Sequence, residues 1–163
     1  IRAEHGDWFH IEVAAYPEFH PQAPSAARDL DNFRRKVEAG ADAAITQYFY
    51  KAAAYFGFLD ACAAMGLDLP VVPGIMPITN FTQLARFSDG CGAEIPRWMR
   101  RRLEGLGDNL EEIRAFGHRV VADLCRRLLA GGAPGLHFYT MNQAGPTLRL
   151  WQELGLPGER DST

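Results

Sequence analysis

The sequence predicts an α/β fold organised around a parallel β-sheet. Short apolar runs alternate four times with longer segments of helical periodicity, the order expected for parallel strands with helices packed outside them. Residues 11–50 contain a strand, a helix and a second strand, which is the pattern of a βαβ unit. An eight-unit barrel of such repeats needs about 250 residues. The 163 residues of this chain therefore correspond to roughly half a barrel.

Strands are predicted where short apolar runs are bounded by proline or glycine, and helices where apolar residues recur at three- and four-residue steps. The predicted strands cover residues 10–16, 43–49, 70–76 and 135–140. The predicted helices cover residues 25–39, 51–65, 81–88, 96–105, 110–130 and 146–154, and a polar tail follows.

Polar and glycine residues set the helix boundaries in this prediction. Ser25 is the expected N-cap of the first long helix, and either Thr79 or Asn80 caps the helix that follows the third strand. Gly90 and Gly92 are expected to break that helix. Residues 1–9 resemble the end of a preceding helix or loop.

The composition indicates one folded domain and disfavours several classes of partner. Hydrophobic residues make up 47% of the chain and charged residues 23%, as in globular domains with a core. A net charge of -3 gives no reason to expect nucleic acid or an anionic membrane as a partner. Three widely spaced cysteines favour a reducing cytoplasm, and no histidine or cysteine has the spacing of a metal site.

Polar residues are expected at the carboxyl ends of the strands, where ligands bind in parallel α/β proteins. Tyr16 ends the first predicted strand, His20 lies in the loop after it, and Gln47 lies within the second strand. An amide inside an apolar run is costly unless its polar atoms are satisfied. Two interpretations of Gln47 stay open, a hydrogen-bond partner within the sheet or a ligand heterocycle with donor and acceptor groups.

The polar face of the first long helix also admits two interpretations. Asp29, Asn32, Arg35 and Lys36 span about a third of its circumference. Such a face is more often simply solvated. The alternative is a clamp for a diphosphate and a ribityl chain, because arginine and lysine bind phosphate oxygens while aspartate and asparagine bind hydroxyls.

Three blocks of sequence resemble the methylenetetrahydrofolate reductase family. They are YPEFHP with DLDNFRRKVEAGADAAITQYFY, then VVPGIMPITNFTQLARFS, then GLHFYTMNQA. The resemblance runs in order from residue 11 to about residue 156. It implies that residues 1–163 are the C-terminal half of the catalytic domain, with the last four βα units, strands five to eight, of a parallel (β/α)8 TIM barrel.

The resemblance implies a flavin enzyme of one-carbon metabolism and methionine biosynthesis. Such an enzyme reduces 5,10-methylenetetrahydrofolate to 5-methyltetrahydrofolate with FAD as cofactor and NADH or NADPH as reductant. We expect a cytoplasmic protein that is a homo-oligomer when full length and binds small molecules, not nucleic acid, membrane or metal. The implied cofactor-binding residues are Tyr16, His20, Ala23, Asp29, Asn32, Arg35 and Lys36. The implied substrate-binding residues are Gln47, Gln83, Phe87 and Gln143.

Individual residues of this set have distinct implied roles. Gln47 would contact both the folate and the nicotinamide, and Phe87 would stack on either ligand, although its helical spacing alone is more typical of a core residue. Some relatives carry a basic residue at the position of Gln143, which could pair with the folate glutamate tail, whereas Gln143 can only hydrogen-bond it.

The resemblance assigns no catalytic residue within the chain. The family's acid and its flavin-tuning aspartate correspond to positions upstream of Ile1, so we expect the chain alone to be inactive as a reductase. An alternative is a non-catalytic half-barrel that binds a flavin or nucleotide and assembles with a second copy. An unrelated phosphate-binding barrel is a further alternative, but it predicts a strand lysine that the four predicted strands lack.

Overall fold

The computed structural model describes residues 1–157, so the last part of the predicted polar tail, residues 158–163, lies outside it. Within this range the chain forms seven helices and four strands. In chain order they are α1 (Arg2–His5), β1 (Glu12–Ala15), α2 (Ala26–Glu38), β2 (Ala43–Tyr48), α3 (Ala52–Ala64), β3 (Val71–Ile75), α4 (Phe81–Cys91), α5 (Arg97–Gly105), α6 (Leu110–Ala130), β4 (His137–Phe138) and α7 (Ala144–Glu153).

The four strands form one parallel sheet in the order β1-β2-β3-β4. Glu12 of β1 lies opposite Ala43 of β2, and this pairing continues without interruption to the end of β1. The β2–β3 register shifts between Ile45 and Tyr48. The prediction of a parallel α/β sheet is therefore confirmed, and β1 and β4 are its two edges.

Side-chain caps begin three of the helices. Ser25 Oγ accepts from the Arg28 N–H at 3.3 Å at the start of α2. Asn80, and not Thr79, caps α4, with its Oδ1 accepting from the Gln83 N–H at 2.8 Å. These contacts satisfy N–H groups that have no partner within the helix.

The predicted break at Gly90 is wrong, because α4 continues through it to Cys91 and ends at Gly92, whose φ is 75°. The thiol of Cys91 donates to the hydroxyl of Tyr48 at 3.4 Å, a tertiary contact that holds the last turn in place. A glycine inside a helix costs only about 1 kcal/mol, which such contacts offset.

The core lies between the sheet and the helices packed on its outer side. Met99 and Leu103 of α5 and Leu128 of α6 are fully buried. The ring of Phe49, just after β2, stacks on Tyr55 of α3 at 5.9 Å between centroids. Burial of large apolar side chains is the main stabilising term of such a fold, at about 25 cal/mol per Å².

The fourth strand is shorter than predicted. Only His137 and Phe138 pair regularly with β3, although the N–H of Tyr139 still donates to the carbonyl of Ile75 at 2.8 Å. Met141 and Asn142 then adopt left-handed backbone conformations, with φ of 51° and 59°. This turn takes the chain out of the sheet and into α7.

Candidate active site

The loop after β1 folds against the first turn of α2. The ring of Tyr16 lies edge-on to the ring of His20, with 4.6 Å between centroids. The N–H of His20 donates to Asp29 Oδ2 at 2.9 Å, and the N–H of Ala23 donates to the carbonyl of His20 at 2.9 Å. Four of the predicted cofactor-binding residues therefore lie together at the carboxyl end of β1.

The cations of α2 fall into two groups. Arg34 forms ion pairs with Asp31 at 2.6 Å and with Glu38 at 2.7 Å. Within residues 1–157, Arg35 and Lys36 have no carboxylate partner at ion-pair distance. These two predicted residues are therefore the cations of this helix face that remain open to an anionic ligand.

Lys36 ties the polar face of α2 to the sheet. Its Nζ donates to the carbonyl of Ala14, near the end of β1, at 2.8 Å. Asn32 and Arg35 are exposed on the same helix. The structure thus places all seven predicted cofactor residues on α2 or on the loop before it. Asn32 and Arg35 face solvent, whereas the other five contact one another or the end of β1: Tyr16, His20, Ala23, Asp29 and Lys36.

A cleft lies between the segments that follow β3 and β4. Three of the four predicted substrate-binding residues line it, namely Gln83 and Phe87 of α4 and Gln143 at the N-cap of α7. Tyr139 and Met141 line it from the β4 side. Its enclosed free volume is about 20 Å³, which is room for about one water molecule. A planar ligand ring would require these side chains to move apart.

Gln47 does not line this cleft. It lies at the register shift of β2, and such irregularities re-aim side chains in a sheet. Its Oε1 accepts from the Tyr48 N–H at 2.9 Å, so the amide oxygen is satisfied locally. The amide NH₂ makes no hydrogen bond to the described residues, which leaves two donors for a ligand.

Tyr139 connects the cleft to the second strand and is not among the predicted site residues. Its hydroxyl donates to the carbonyl of Thr46 at 3.0 Å. Burial raises the pKa of Tyr139, so the phenol stays protonated and acts as a donor. An aromatic residue in a short apolar run is typical of a strand core, so no local signal distinguished this one.

A second polar contact holds α4 on the sheet. The hydroxyls of Tyr48 and Ser88 share a hydrogen bond of 3.1 Å, and both residues are buried. Burial, together with the neighbouring Cys91, raises the pKa of Tyr48. The contact fixes the half of α4 that carries Phe87. Because the partners are 40 residues apart, no local sequence pattern indicates this contact.

Glu18 is a partly buried carboxylate at the same edge of the sheet. Its Oε2 accepts from the Glu94 N–H at 2.7 Å. Its Oε1 is buried and has no hydrogen-bond partner within residues 1–157. Burial raises the pKa of Glu18, and the charge of Glu94 adds to this effect. The one hydrogen bond of the Glu18 side chain to the described residues is with the backbone of Glu94, which is not a predicted site residue, so we assign Glu18 no catalytic role.

Metal-ligating side chains do not cluster in the described part of the chain, where no group of three or more His, Cys, Asp or Glu could hold an ion. The helices of residues 1–157 include none that is both long and apolar enough to cross a bilayer.

Cys62 and Cys125 are free and buried, and burial raises the pKa of Cys125 to about 12, so its thiol stays protonated.

The fold and the cleft define a class of α/β protein in which the ligand site lies at the carboxyl edge of a parallel sheet. The chain belongs to the methylenetetrahydrofolate reductase family, because the model of that family matches residues 1–155. The resemblance of the three sequence blocks is therefore confirmed over nearly the whole described chain.

Several relatives are named as this oxidoreductase. The 5,10-methylenetetrahydrofolate reductase of Escherichia coli strain K12 is 42% identical over 151 residues, which cover 92% of this chain and 51% of the relative. The probable methylenetetrahydrofolate reductase (NADH) of Oryza sativa subsp. japonica is 40% identical over 165 residues, 96% of this chain and 28% of that protein. The chain thus spans about half the length of its bacterial relatives.

A solved structure with a similar fold comes from Clostridium thermocellum. It is described as an uncharacterized protein that binds two copies of 5-methyl-5,6,7,8-tetrahydrofolic acid. The TM-score is 0.63 at 20% sequence identity, and the match covers 94% of this chain and 56% of that one. The similarity supports the parallel α/β fold of the described chain.

Proposed function

We propose that this chain contributes strands five to eight of a (β/α)8 barrel that reduces 5,10-methylenetetrahydrofolate to 5-methyltetrahydrofolate with FAD and NAD(P)H. Membership of the family supports this, and so does the folate bound by the Clostridium thermocellum protein. The observation that carries the proposal is the cleft. Gln83 and Phe87 belong to one of the resembling sequence blocks and Gln143 to another, and all three line one cavity.

The residues of α2 fit the chemistry of FAD. A dinucleotide presents a diphosphate, which suits the two cations without carboxylate partners, Arg35 and Lys36. It also presents ribityl and ribose hydroxyls, which suit Asp29 and Asn32. Bound FAD would supply two-electron transfer between NAD(P)H and the folate. The polypeptide would position the cofactor and the substrate next to each other.

Once they move apart, the side chains that line the cleft would suit a planar heterocycle that is replaced by another. The guanidinium of Arg86 lies 5.6 Å from the centroid of the Phe87 ring and covers one face of it. We infer that the other face stacks on the pterin or the nicotinamide in turn, because stacking needs no fixed hydrogen-bond pattern. Gln83 would supply an amide donor and acceptor that orient either ring. Gln47 lies outside the cleft, and its NH₂ group would reach a ligand only after the cleft opens.

Phe87→Ala is expected to raise the KM for the folate by about 10- to 100-fold, since stacking on an aromatic side chain contributes about 1–3 kcal/mol. Phe87→Tyr keeps the ring and is expected to stay within about threefold of the parent, because stacking depends on the planar face. Steady-state kinetics with NADH and 5,10-methylenetetrahydrofolate measure both. Equal KM values for Phe87→Ala and the parent would contradict the role of Phe87.

The proposal as a whole is tested with the complete reading frame that encodes this chain. We expect that protein to copurify with FAD, to oxidise NADH with a quinone acceptor and to form 5-methyltetrahydrofolate. Residues 1–163 alone are expected to show none of these reactions, since the resemblance assigns them no catalytic acid. Absence of flavin and of NADH oxidation in the complete protein would refute the reductase assignment.

The assembly-module alternative makes a different prediction. A half-barrel that pairs with a second copy would cover the open edges of its sheet. Residues 1–163 would then form a stable dimer in size-exclusion chromatography with light scattering, and the complete protein would bind flavin without reducing folate.

The cytoplasmic location and the homo-oligomeric state of the reductase also belong to our proposal. Cell fractionation tests the location, and the same chromatography tests the oligomeric state.

A further inference from the structure

A wide groove lies on the outer surface of the fold, where α3, α5 and α6 meet. Its free volume is about 690 Å³, within the range of about 300–1,000 Å³ that is typical of ligand pockets. Four cations and a single acid line it, so the lining carries a net charge of +3, whereas the whole chain carries -3. These charged residues are Lys51, Arg97, Arg101, Arg127 and Glu94. None of them lines the cleft of Gln83 and Phe87, so the groove is a separate cavity.

The three arginines of the groove have no acid bound to them. Within residues 1–157 none of the three forms an ion pair or a side-chain hydrogen bond. Glu94, the acid of the lining, is already held by Lys51 in an ion pair. Arg97 and Arg101 lie four residues apart and so project from the same face of α5, while Arg127 reaches the groove from α6. Like charges placed around one cavity repel each other, and an anion bound between them would relieve this repulsion.

An exposed indole supplies a planar surface in the same groove. Trp98 of α5 lines it and is 57% exposed. Phe116 of α6 is its aromatic neighbour, with 6.1 Å between centroids and an angle of 81° between the ring planes. The two rings are therefore not stacked on each other, and the indole can stack on the ring of a ligand. Because Arg101 follows Trp98 by three residues, a charged group attached to that ring would lie close to a guanidinium.

The floor of the groove is fixed by the sheet. Tyr50, two residues after the end of β2, lines the groove and is buried. Its hydroxyl donates to the carbonyl of Met76 at 3.4 Å, and its ring lies edge-on to that of Tyr48 with 5.9 Å between centroids. Pro96, the N-cap of α5, is buried beside it. The groove is therefore open without any movement of its floor, and a preformed site needs less ordering when a ligand binds.

We propose that this groove binds a nucleoside phosphate, with the base stacked on Trp98 and the phosphates bound by Arg97, Arg101 and Arg127. A guanidinium presents paired N–H donors that match two phosphate oxygens. The indole favours such a ligand over a simple anion, which would use the arginines alone. Stacking needs no fixed hydrogen-bond pattern, so the indole does not select one base. The groove contains none of the predicted cofactor or substrate residues, so this site goes beyond the proposed function.

The test compares two probes, ADP and inorganic pyrophosphate, on the complete protein in the presence of saturating FAD, which fills the cofactor site. Each probe is titrated by calorimetry. We expect the Kd for ADP to be about 5- to 100-fold lower than that for pyrophosphate, because stacking of the base adds to the phosphate contacts. Trp98→Leu is expected to remove this difference, since leucine has no planar face. Its Kd for pyrophosphate should stay within about twofold of the parent, because the arginines are unchanged.

Arg97→Gln/Arg127→Gln is expected to weaken the binding of both probes by at least about tenfold, because it removes two charge-assisted contacts from α5 and α6. Arg102→Gln is the matched control, since Arg102 is exposed on α5 and does not line the groove. Its Kd values should stay within about twofold of the parent.

Four results would refute the nucleotide site. They are no binding of either probe, ADP binding that saturating FAD abolishes, equal Kd values for ADP and pyrophosphate in the parent, and an equal loss in Arg102→Gln and in the double variant. Each result concerns the groove alone. Flavin content and folate reduction, which test the proposed function, are measured separately, so failure of one proposal is distinguishable from failure of the other.

Discussion

Gly74→Ala is expected to lower the free energy of unfolding by about 3 kcal/mol or more. Gly74 lies in β3, and a Cβ atom there would be 2.2 Å from the carbonyl oxygen of Thr46 and 2.7 Å from Tyr139 Cε2. The first neighbour is backbone of the adjacent strand and cannot rotate away. The N–H of Gly74 also donates to Thr46 Oγ1 at 2.8 Å, so separation of β2 from β3 breaks a buried hydrogen bond.

Urea unfolding followed by circular dichroism measures this change, because the midpoint shifts while the slope stays similar. Gly57→Ala is the matched control, since Gly57 is exposed in α3 and a Cβ there would meet nothing within 4 Å. That variant is expected to gain about 0.5–1 kcal/mol, because alanine is a better helix former than glycine. A Gly74→Ala protein as stable as the parent would contradict the close approach of β2 and β3.

The elements of this fold could be predicted because their signals are local. The apolar repeat and the glycines that follow it gave the bounds of α6 correctly, and the polar residue before α2 was its cap. The predicted break at Gly90 was wrong because the end of α4 depends on a contact between residues that are far apart in the sequence. Residue propensity favours an end there, but the last turn of α4 is held by contacts between Cys91 and Tyr48, which no local pattern encodes.

The candidate site also has one part that local sequence predicts and another that depends on contacts between distant residues. The loop and helix of the predicted cofactor site are contiguous in sequence, so the residues that resemble the family also meet in space, as Tyr16, His20 and Asp29 do. The cleft required the carboxyl ends of β3 and β4 to be adjacent, which the βα order implied. The free volume of the cleft and the hydrogen bond from Tyr139 to Thr46 could not be predicted, because both depend on how side chains pack across strands.

The orientation of the Gln47 side chain depends on strand pairing and not on the local sequence pattern. Two alternatives follow from its sequence context, a partner in the sheet or a ligand, and the structure shows a backbone partner for its oxygen. Its oxygen is bound to the neighbouring Tyr48 N–H, while its NH₂ group has no partner among the described residues. The register shift beside it decides where the side chain points, and that shift arises from the pairing of β2 with β3.

Arg35→Gln/Lys36→Gln is expected to weaken FAD binding by at least about 30-fold, because each charge-assisted hydrogen bond to phosphate contributes about 1.5–3 kcal/mol and solvent exposure reduces this. Arg35 is exposed, and Lys36 Nζ reaches the end of β1, where its donor contact to Ala14 leaves two further N–H groups. Titration of the apoprotein of the complete reading frame with FAD, followed by flavin fluorescence, gives the Kd.

Arg34→Gln is the control that separates a phosphate site from a general effect of charge. It removes one positive charge from the same helix, but from a guanidinium already held by Asp31 and Glu38. We expect its Kd for FAD to stay within about threefold of the parent, since surface ion pairs of this kind contribute little. Circular dichroism checks that the double variant, which also loses the bond to Ala14, is folded. If Arg34→Gln weakened FAD binding as much as the double variant does, the cations would act only through net charge, and the pattern of paired and unpaired arginines on α2 would carry no information about the cofactor.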